Sequence, residues 1–264
     1  MDMIGIIGSG LDSLIVTRAV REKNPGLDVL CFGDNLRFFP EAARHPDETN
    51  RRAAKDAAFL VDSGAKLILI ASHTLSCIAE AGLTNAGVPA LDIVTPTVNL
   101  AVLKSRHRNT GVIGSRAVIE SSLYPEKFRK LCPEGRIYSA STPLLFPLIE
   151  DGWLKKPVAA MIVKKYLLPL KIRQIDTLVL ASTPYALLSP VIQRKIGSKV
   201  QIIDGADVLA ETVAEYLKAH PDVSAQIRPN GRLRVMLTRP SAFLEKQARD
   251  ILHIRDIHIA SISR

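Results

Sequence analysis

Cysteine is scarce in this chain, and what little there is stands alone. Cys31, Cys77 and Cys132 show no CxxC and no Cys-His spacing, a usage that fits a reducing compartment and argues against a disulfide framework or a zinc site. The six histidines also lack ligand spacing, so the reading includes no metal and no cofactor. Long apolar runs are missing: none approaches the roughly 18 residues a membrane span requires. The opening MDMIGIIGSG leads straight into a strand without a basic leader or a cleavable apolar segment, which makes a cytoplasmic location the expectation. GSGLDS lacks the third glycine of a dinucleotide fingerprint and an acidic residue at the right offset, so it does not read as a nucleotide cradle. Low-complexity tracts are absent.

The 264 residues are enough for one large α/β domain or two smaller ones, with 47% hydrophobic and 23% charged residues, as in ordinary globular enzymes. The formal charge is +9. Basic residues occur along the whole chain, with small clusters in KSRHR (104–108) and RPNGRLR (228–234). No basic block interleaved with aromatics stands out. The charge therefore reads as a solvated surface, with a nucleic-acid or acidic partner as the alternative.

Short β-type runs alternate with longer helical patterns. Strands are expected at Met3–Ile7, Val29–Phe32, Lys66–Ala71, Ala90–Ile93, Gly111–Ile113, Arg136–Ser139, Thr177–Ala181, Gln201–Ile203 and Arg232–Leu237. Between them, LDSLIVTRAVREKNP places Leu11, Leu14, Ile15, Ala19 and Val20 at helical spacing and stops before a proline. DETNRRAAKDAAFLVDSG begins with Asp47 near its start and ends at Gly64, a C-capping glycine. Regular β-α alternation predicts parallel sheets with helices on both faces. GIIGSG (5–10) and GVIGSR (111–116) both read as a first strand entering a glycine turn, which suggests a duplication. The fold class expected is α/β, with two similar flavodoxin-like domains and a cleft between them. The first would comprise residues 1–96 plus about 208–264, the second about 97–207, with a seam near Pro96.

Two apolar strands end alike. LILIASHTLSC (67–77) and LVLASTPYAL (178–187) each reach Ala-Ser and then threonine. A parallel strand buried on both faces delivers polar side chains at its C-terminal end, which marks both strand ends as candidate sites.

These pieces, taken in order, resemble glutamate racemase of the aspartate/glutamate racemase superfamily over nearly the whole length. The resemblance rests on IGIIGSG, CFGDNLRF (31–38), ASHTLS (71–76), VIGSRAVIESSLY (112–124), TPLLFPLIEDG (142–152), LVLASTPY and IIDGA (202–206). It implies two α/β domains around one active site and cofactor-free interconversion of L- and D-glutamate, which supplies peptidoglycan synthesis. It also implies a small amino-acid or carboxylate ligand and, since many members are dimers, a homodimer. Some members bind DNA gyrase. In that family two thiols on opposite faces of the α-carbon exchange its proton, the first in Ala-Cys-Asn-Thr and the second in Gly-Cys-Thr-His-Tyr-Pro.

Here those stretches read Ala71-Ser72-His73-Thr74 and Ala181-Ser182-Thr183-Pro184-Tyr185. Both thiols have become hydroxyls. The assisting aspartate of the first turn is replaced in Gly8-Ser9-Gly10, the assisting histidine by Pro184, and the Pro-Tyr-Gly carboxylate loop by Phe38-Phe39-Pro40. Ser72 and Ser182 thus occupy the catalytic positions, with His73 as the candidate replacement base, set against a plain hydrogen-bonded loop histidine. Ser9, Thr74, Thr183, Tyr185 and Glu150 are the candidate substrate-binding residues, and Asp34 also survives from the family pattern. Cys77, five residues beyond Ser72 where a helix begins, reads as packing rather than as a displaced base. The expectation is a family member with absent or very weak racemase activity. The alternatives are a non-catalytic carboxylate binder or regulator, or a partner of gyrase or nucleic acid.

Overall fold

The computed structural model describes residues 2–34 and 45–262. Ten strands occur among them. In chain order these are β1 (Met3–Gly8), β2 (Val29–Gly33), β3 (Ala65–Ile70), β4 (Ala90–Asp92), β5 (Asn109–Gly114), β6 (Arg136–Ser141), β7 (Thr177–Ala181), β8 (Gln201–Asp204), β9 (Leu233–Thr238) and β10 (Ile259–Ile262). The chain divides into two compact units, Met1–Ile93 with Leu209–Arg264, and Val94–Val208.

The sheet of the first unit has the order β10-β9-β2-β1-β3-β4, and that of the second β6-β5-β7-β8. Every recorded pairing is parallel. Burial explains why: all six residues of β1 and all five of β2 and β7 are buried, so these strands read as continuous apolar runs rather than alternating ones. Along β1, Met3 and Ile7 join the cluster built on Ala53, Ala57 and Leu60 of the helix Pro46–Asp62. Ile4 and Ile6, pointing to the other face, are buried too. Each such aliphatic side chain removed from water contributes about 1.5–3 kcal/mol before entropy is counted.

The same local pattern appears in both units. β2-β1-β3-β4 and β6-β5-β7-β8 each place the second strand on one side of the first and the third on the other. The order therefore reverses between β1 and β3, and again between β5 and β7. In open parallel sheets such a reversal leaves a crevice at the C-terminal strand ends, where ligands bind. Each of the two sequence echoes falls at one of these points. Ser9 (φ −65°, ψ 167°) and Ser115 (φ −63°, ψ 161°) have nearly the same backbone, and each caps the helix that follows its strand.

The glycines ending β1 and β5 are required by close approach. A Cβ on Gly8 would lie 2.8 Å from Asp12 Cβ, and one on Gly114 would lie 2.9 Å from the Ala181 carbonyl oxygen. The helix Pro46–Asp62 has Asp47 and Glu48 in its first turn, where the helix dipole favours negative charge. Gly64 follows its end at φ 102°. Pro96 does not interrupt an element: it lies in the first turn of the helix Val94–Lys104, where no main-chain N–H is needed. β10 was not among the expected strands. It is a four-residue edge strand with no fully buried residue, so the apolar pattern that betrays a central strand is missing.

Gly114→Ala is expected to lower stability by about 1–3 kcal/mol, because the new methyl meets a backbone oxygen that cannot swing away. A thermal melt by circular dichroism checks this, and an unchanged melting temperature would show that the β5–β7 approach is not tight.

Candidate functional site

At the switch point of the first unit, Ser9 follows β1 and Ser72, His73 and Thr74 follow β3. All four are buried, between 1% and 7% exposed. The Ser9 hydroxyl accepts from the Asp12 main-chain N–H at 3.4 Å, and the Asp12 carboxylate accepts from the Ser9 N–H at 3.3 Å. This reciprocal capping box fixes the first turn of the helix Gly10–Lys23. Ser72 has a similar duty. Its hydroxyl accepts from the Leu75 N–H at 3.5 Å and its carbonyl from the Ser76 N–H at 3.0 Å, so it caps the helix His73–Ile78. Serine belongs at such a position because a short side-chain oxygen can satisfy an orphan main-chain donor.

His73 is 1% exposed. Burial pushes its imidazole down from 6.5 to about 3, since a charged ring would lose its water. The ring is neutral throughout the physiological range.

At the switch point of the second unit, Ser182 follows β7 with extended backbone (φ −157°, ψ 116°), half-buried and without a capping bond from its side chain. Thr183 and Tyr185 follow in the 3₁₀ turn Thr183–Leu188, both buried. The Tyr185 phenol donates to the Thr142 carbonyl at 3.1 Å and accepts from the Thr142 hydroxyl at 2.9 Å. Thr142 in turn donates its main-chain N–H to Gly114 at 2.9 Å, which ties the end of β5 to the turn after β7. Burial pushes the phenol up to about 12, against hydrogen bonds from Thr142 and Ser182 that favour its ionised form. It stays protonated. Thr142 went unnoticed in the sequence as a site residue; the only signal was its place in the TPLLFPLIEDG stretch.

Glu150 ends the helix Leu145–Glu150 at the surface, where partial desolvation and then the neighbouring Asp151 raise its carboxyl. Asp34, at the end of β2, is buried and accepts from Thr238 Oγ1 at 2.6 Å and from Arg52 Nε at 2.9 Å. Nothing local in the chain singles out Thr238 or Arg52 as partners of this aspartate. Phe38, Phe39 and Pro40 lie outside the described residues.

Burial pushes the Cys31 thiol up to about 11. Cys77 is part of the helix His73–Ile78, and Cys132 closes the helix Leu123–Leu131. Among the described residues no group of three or more His, Cys, Asp or Glu is arranged to hold a metal ion.

A model of the family described as Asp/Glu/Hydantoin racemase matches residues 4–213. The glutamate racemase of Syntrophus aciditrophicus (strain SB) is 35% identical over 234 residues, 88% of this chain and 86% of that protein. Among solved structures, a glutamate racemase isoform from Bacillus anthracis superposes with a TM-score of 0.88 at 25% identity, covering 100% of this chain and 97% of the other. Glutamate racemase from Francisella tularensis, in complex with D-glutamate, gives a TM-score of 0.88 at 24% identity over 99% and 97% of the two chains. That last likeness speaks for the fold alone.

The depressed His73 has a stability consequence. Unfolded, the ring takes a proton below about 6.5; folded, it does not until about 3. The native state binds fewer protons in that window, so its stability is full above pH 6.5 and is lost as the pH falls toward 3. At pH 5 the penalty is about 2 kcal/mol. His73→Asn is expected to remove that part of the acid sensitivity, read as a smaller drop in melting temperature between pH 7 and pH 5. An equal drop in both proteins would mean that the ring already titrates normally.

Proposed function

The chain belongs to the Asp/Glu/Hydantoin racemase family, and on that premise we propose that it binds a small amino acid or carboxylate but transfers its α-proton very slowly or not at all. The observation that carries this reading is the state of the two strand ends. Both offer hydroxyls, one of them engaged in capping its own helix, and the imidazole beside it is held neutral by burial.

Racemisation through the α-carbon needs a base on one face and a proton donor on the other, each matched to neutral pH. A thiol near 8.5 can be tuned into that range. A serine hydroxyl is far less acidic and works as a base or nucleophile only with a partner that takes its proton. Ser72 accepts from a main-chain N–H, and the Tyr185 phenol near Ser182, pushed up to about 12, is already protonated at neutral pH and has no free base to take a proton. An imidazole titrating at about 3 is a weak base as well. Each matched acid–base group contributes on the order of 10² to 10⁴ in rate, so replacing two of them removes most of the acceleration.

Binding is a different matter. Thr74 and Thr183 keep their hydroxyls in the first turn after each strand, where a carboxylate could be gripped. Ser9, Tyr185 and Glu150 are the remaining candidate contacts to the ligand; the first caps the helix after β1, the second is closed on Thr142 and the third lies at the surface.

Calorimetric titration with D- and L-glutamate and D- and L-aspartate, followed by polarimetry of the same samples, tests the reading. Saturable heat with at least one of these, weakened roughly tenfold in Thr183→Val by loss of a hydrogen bond to a charged group, is expected, together with unchanged optical rotation. Rotation that decays at an enzyme-like rate would refute the loss of catalysis, and absence of heat from all four would refute the binding half.

A further inference from the structure

The net charge is not distributed as the basic residues are. Between Val94 and Val208 there are 17 Lys and Arg against 8 Asp and Glu, a net +9, while the rest of the chain balances at 18 of each. The second unit alone carries the excess. Every large apolar side chain that stands exposed among the described residues also belongs to it. The two features coincide on one element. WLKKPVAAMIVKKYLLPLKIR, residues 153–173, holds six cations and no acidic residue.

The helix Pro157–Ile172 buries Ala159, Val163, Leu167 and Leu170 against its unit. On the opposite side Met161 (64% exposed), Leu168 (52%) and Ile172 (71%) recur at i, i+7 and i+11, which places them in one stripe. Lys165 falls inside the stripe, and Lys164 and Lys171 flank it; all three are exposed. Trp153, 43% exposed, stands just before the helix next to Lys155 and Lys156. The apolar stripe is about 16 Å long.

We propose that this outward face of the helix Pro157–Ile172 docks on an anionic phospholipid bilayer. Lipid supplies both things the face lacks: phosphate charge for the lysines, and an acyl boundary for Met161, Leu168 and Ile172, with tryptophan at the interface between them. Nucleic acid would answer the lysines but leave three aliphatic side chains in water. A second copy paired about a two-fold axis would set the same cations against one another. The contact is peripheral, since among the described residues no helix is long and apolar enough to cross a membrane.

Sedimentation of the full chain with vesicles tests the proposal. Vesicles of equal parts phosphatidylcholine and phosphatidylglycerol should carry the protein down, phosphatidylcholine alone should not, and high salt should release it. Lys164→Gln/Lys165→Gln should weaken partitioning by about fivefold per lysine, and Leu168→Gln/Ile172→Gln by roughly tenfold or more. All four side chains point to solvent, and an unchanged thermal melt confirms that both variants fold. Failure to sediment with the mixed vesicles overturns the proposal, as does binding that the Leu168→Gln/Ile172→Gln variant retains in full. Retention of duplex DNA without vesicle binding would reassign the face to nucleic acid. Self-association lost in the variants, again without vesicle binding, would reassign it to a second copy.

Discussion

The tight packing at the ends of β1 and β5, where Gly8 lies against Asp12 of its own helix and Gly114 against the end of β7, governs what this molecule can offer a ligand. β1, β3, β5 and β7 are almost wholly buried, so their flanks cannot carry accessible chemistry and only their ends can. At each end the chain must turn at once into a helix, and main-chain N–H groups left over by that turn need acceptors. Ser9, Ser72 and Ser115 meet that need with their hydroxyls. In the second unit the same crowding is resolved through Thr142 and Tyr185, which lock the end of β5 to the turn after β7.

Under the proposed reading, that constraint explains how the family's fold would persist with serines at the two strand ends. A serine at a strand end is a good helix cap and a poor base, so substitution there preserves the local architecture while changing the chemistry. The electrostatics lean the same way. Burial holds His73 neutral, keeps Tyr185 protonated and denies Cys31 its thiolate, and each shift favours the uncharged form because loss of water is its largest cause.

Much of this was legible in the sequence, for identifiable reasons. Central parallel strands announce themselves as unbroken aliphatic runs, so β1, β3 and β7 and the two Ala-Ser ends could be located without coordinates. β10 could not, because Ile259–Ile262 is a short edge strand with no buried run. The partners of Asp34 lie 18 and 204 positions away in the chain, and Thr142 meets Tyr185 from 43 positions away; nothing local predicts such meetings. The uneven spread of charge was not legible either. Basic residues are scattered along the chain, and only the division into units shows that Val94–Val208 holds all of the excess. The cationic, apolar stripe of the helix Pro157–Ile172 was hidden for a related reason: its one aromatic anchor, Trp153, precedes the helix, and its lysines alternate with residues that face the core.

The most direct test of the proposed loss of catalysis is α-proton exchange. Purified protein in D₂O, followed by NMR with L- and D-glutamate, would be compared with the Ser72→Cys/Ser182→Cys double variant. The account predicts no exchange by the unmodified protein and exchange by the double-cysteine variant, whose thiols would stand at the two strand ends. Rapid exchange by the unmodified protein would contradict it, most sharply if His73→Ala abolished that exchange, because a buried neutral imidazole would then be the base.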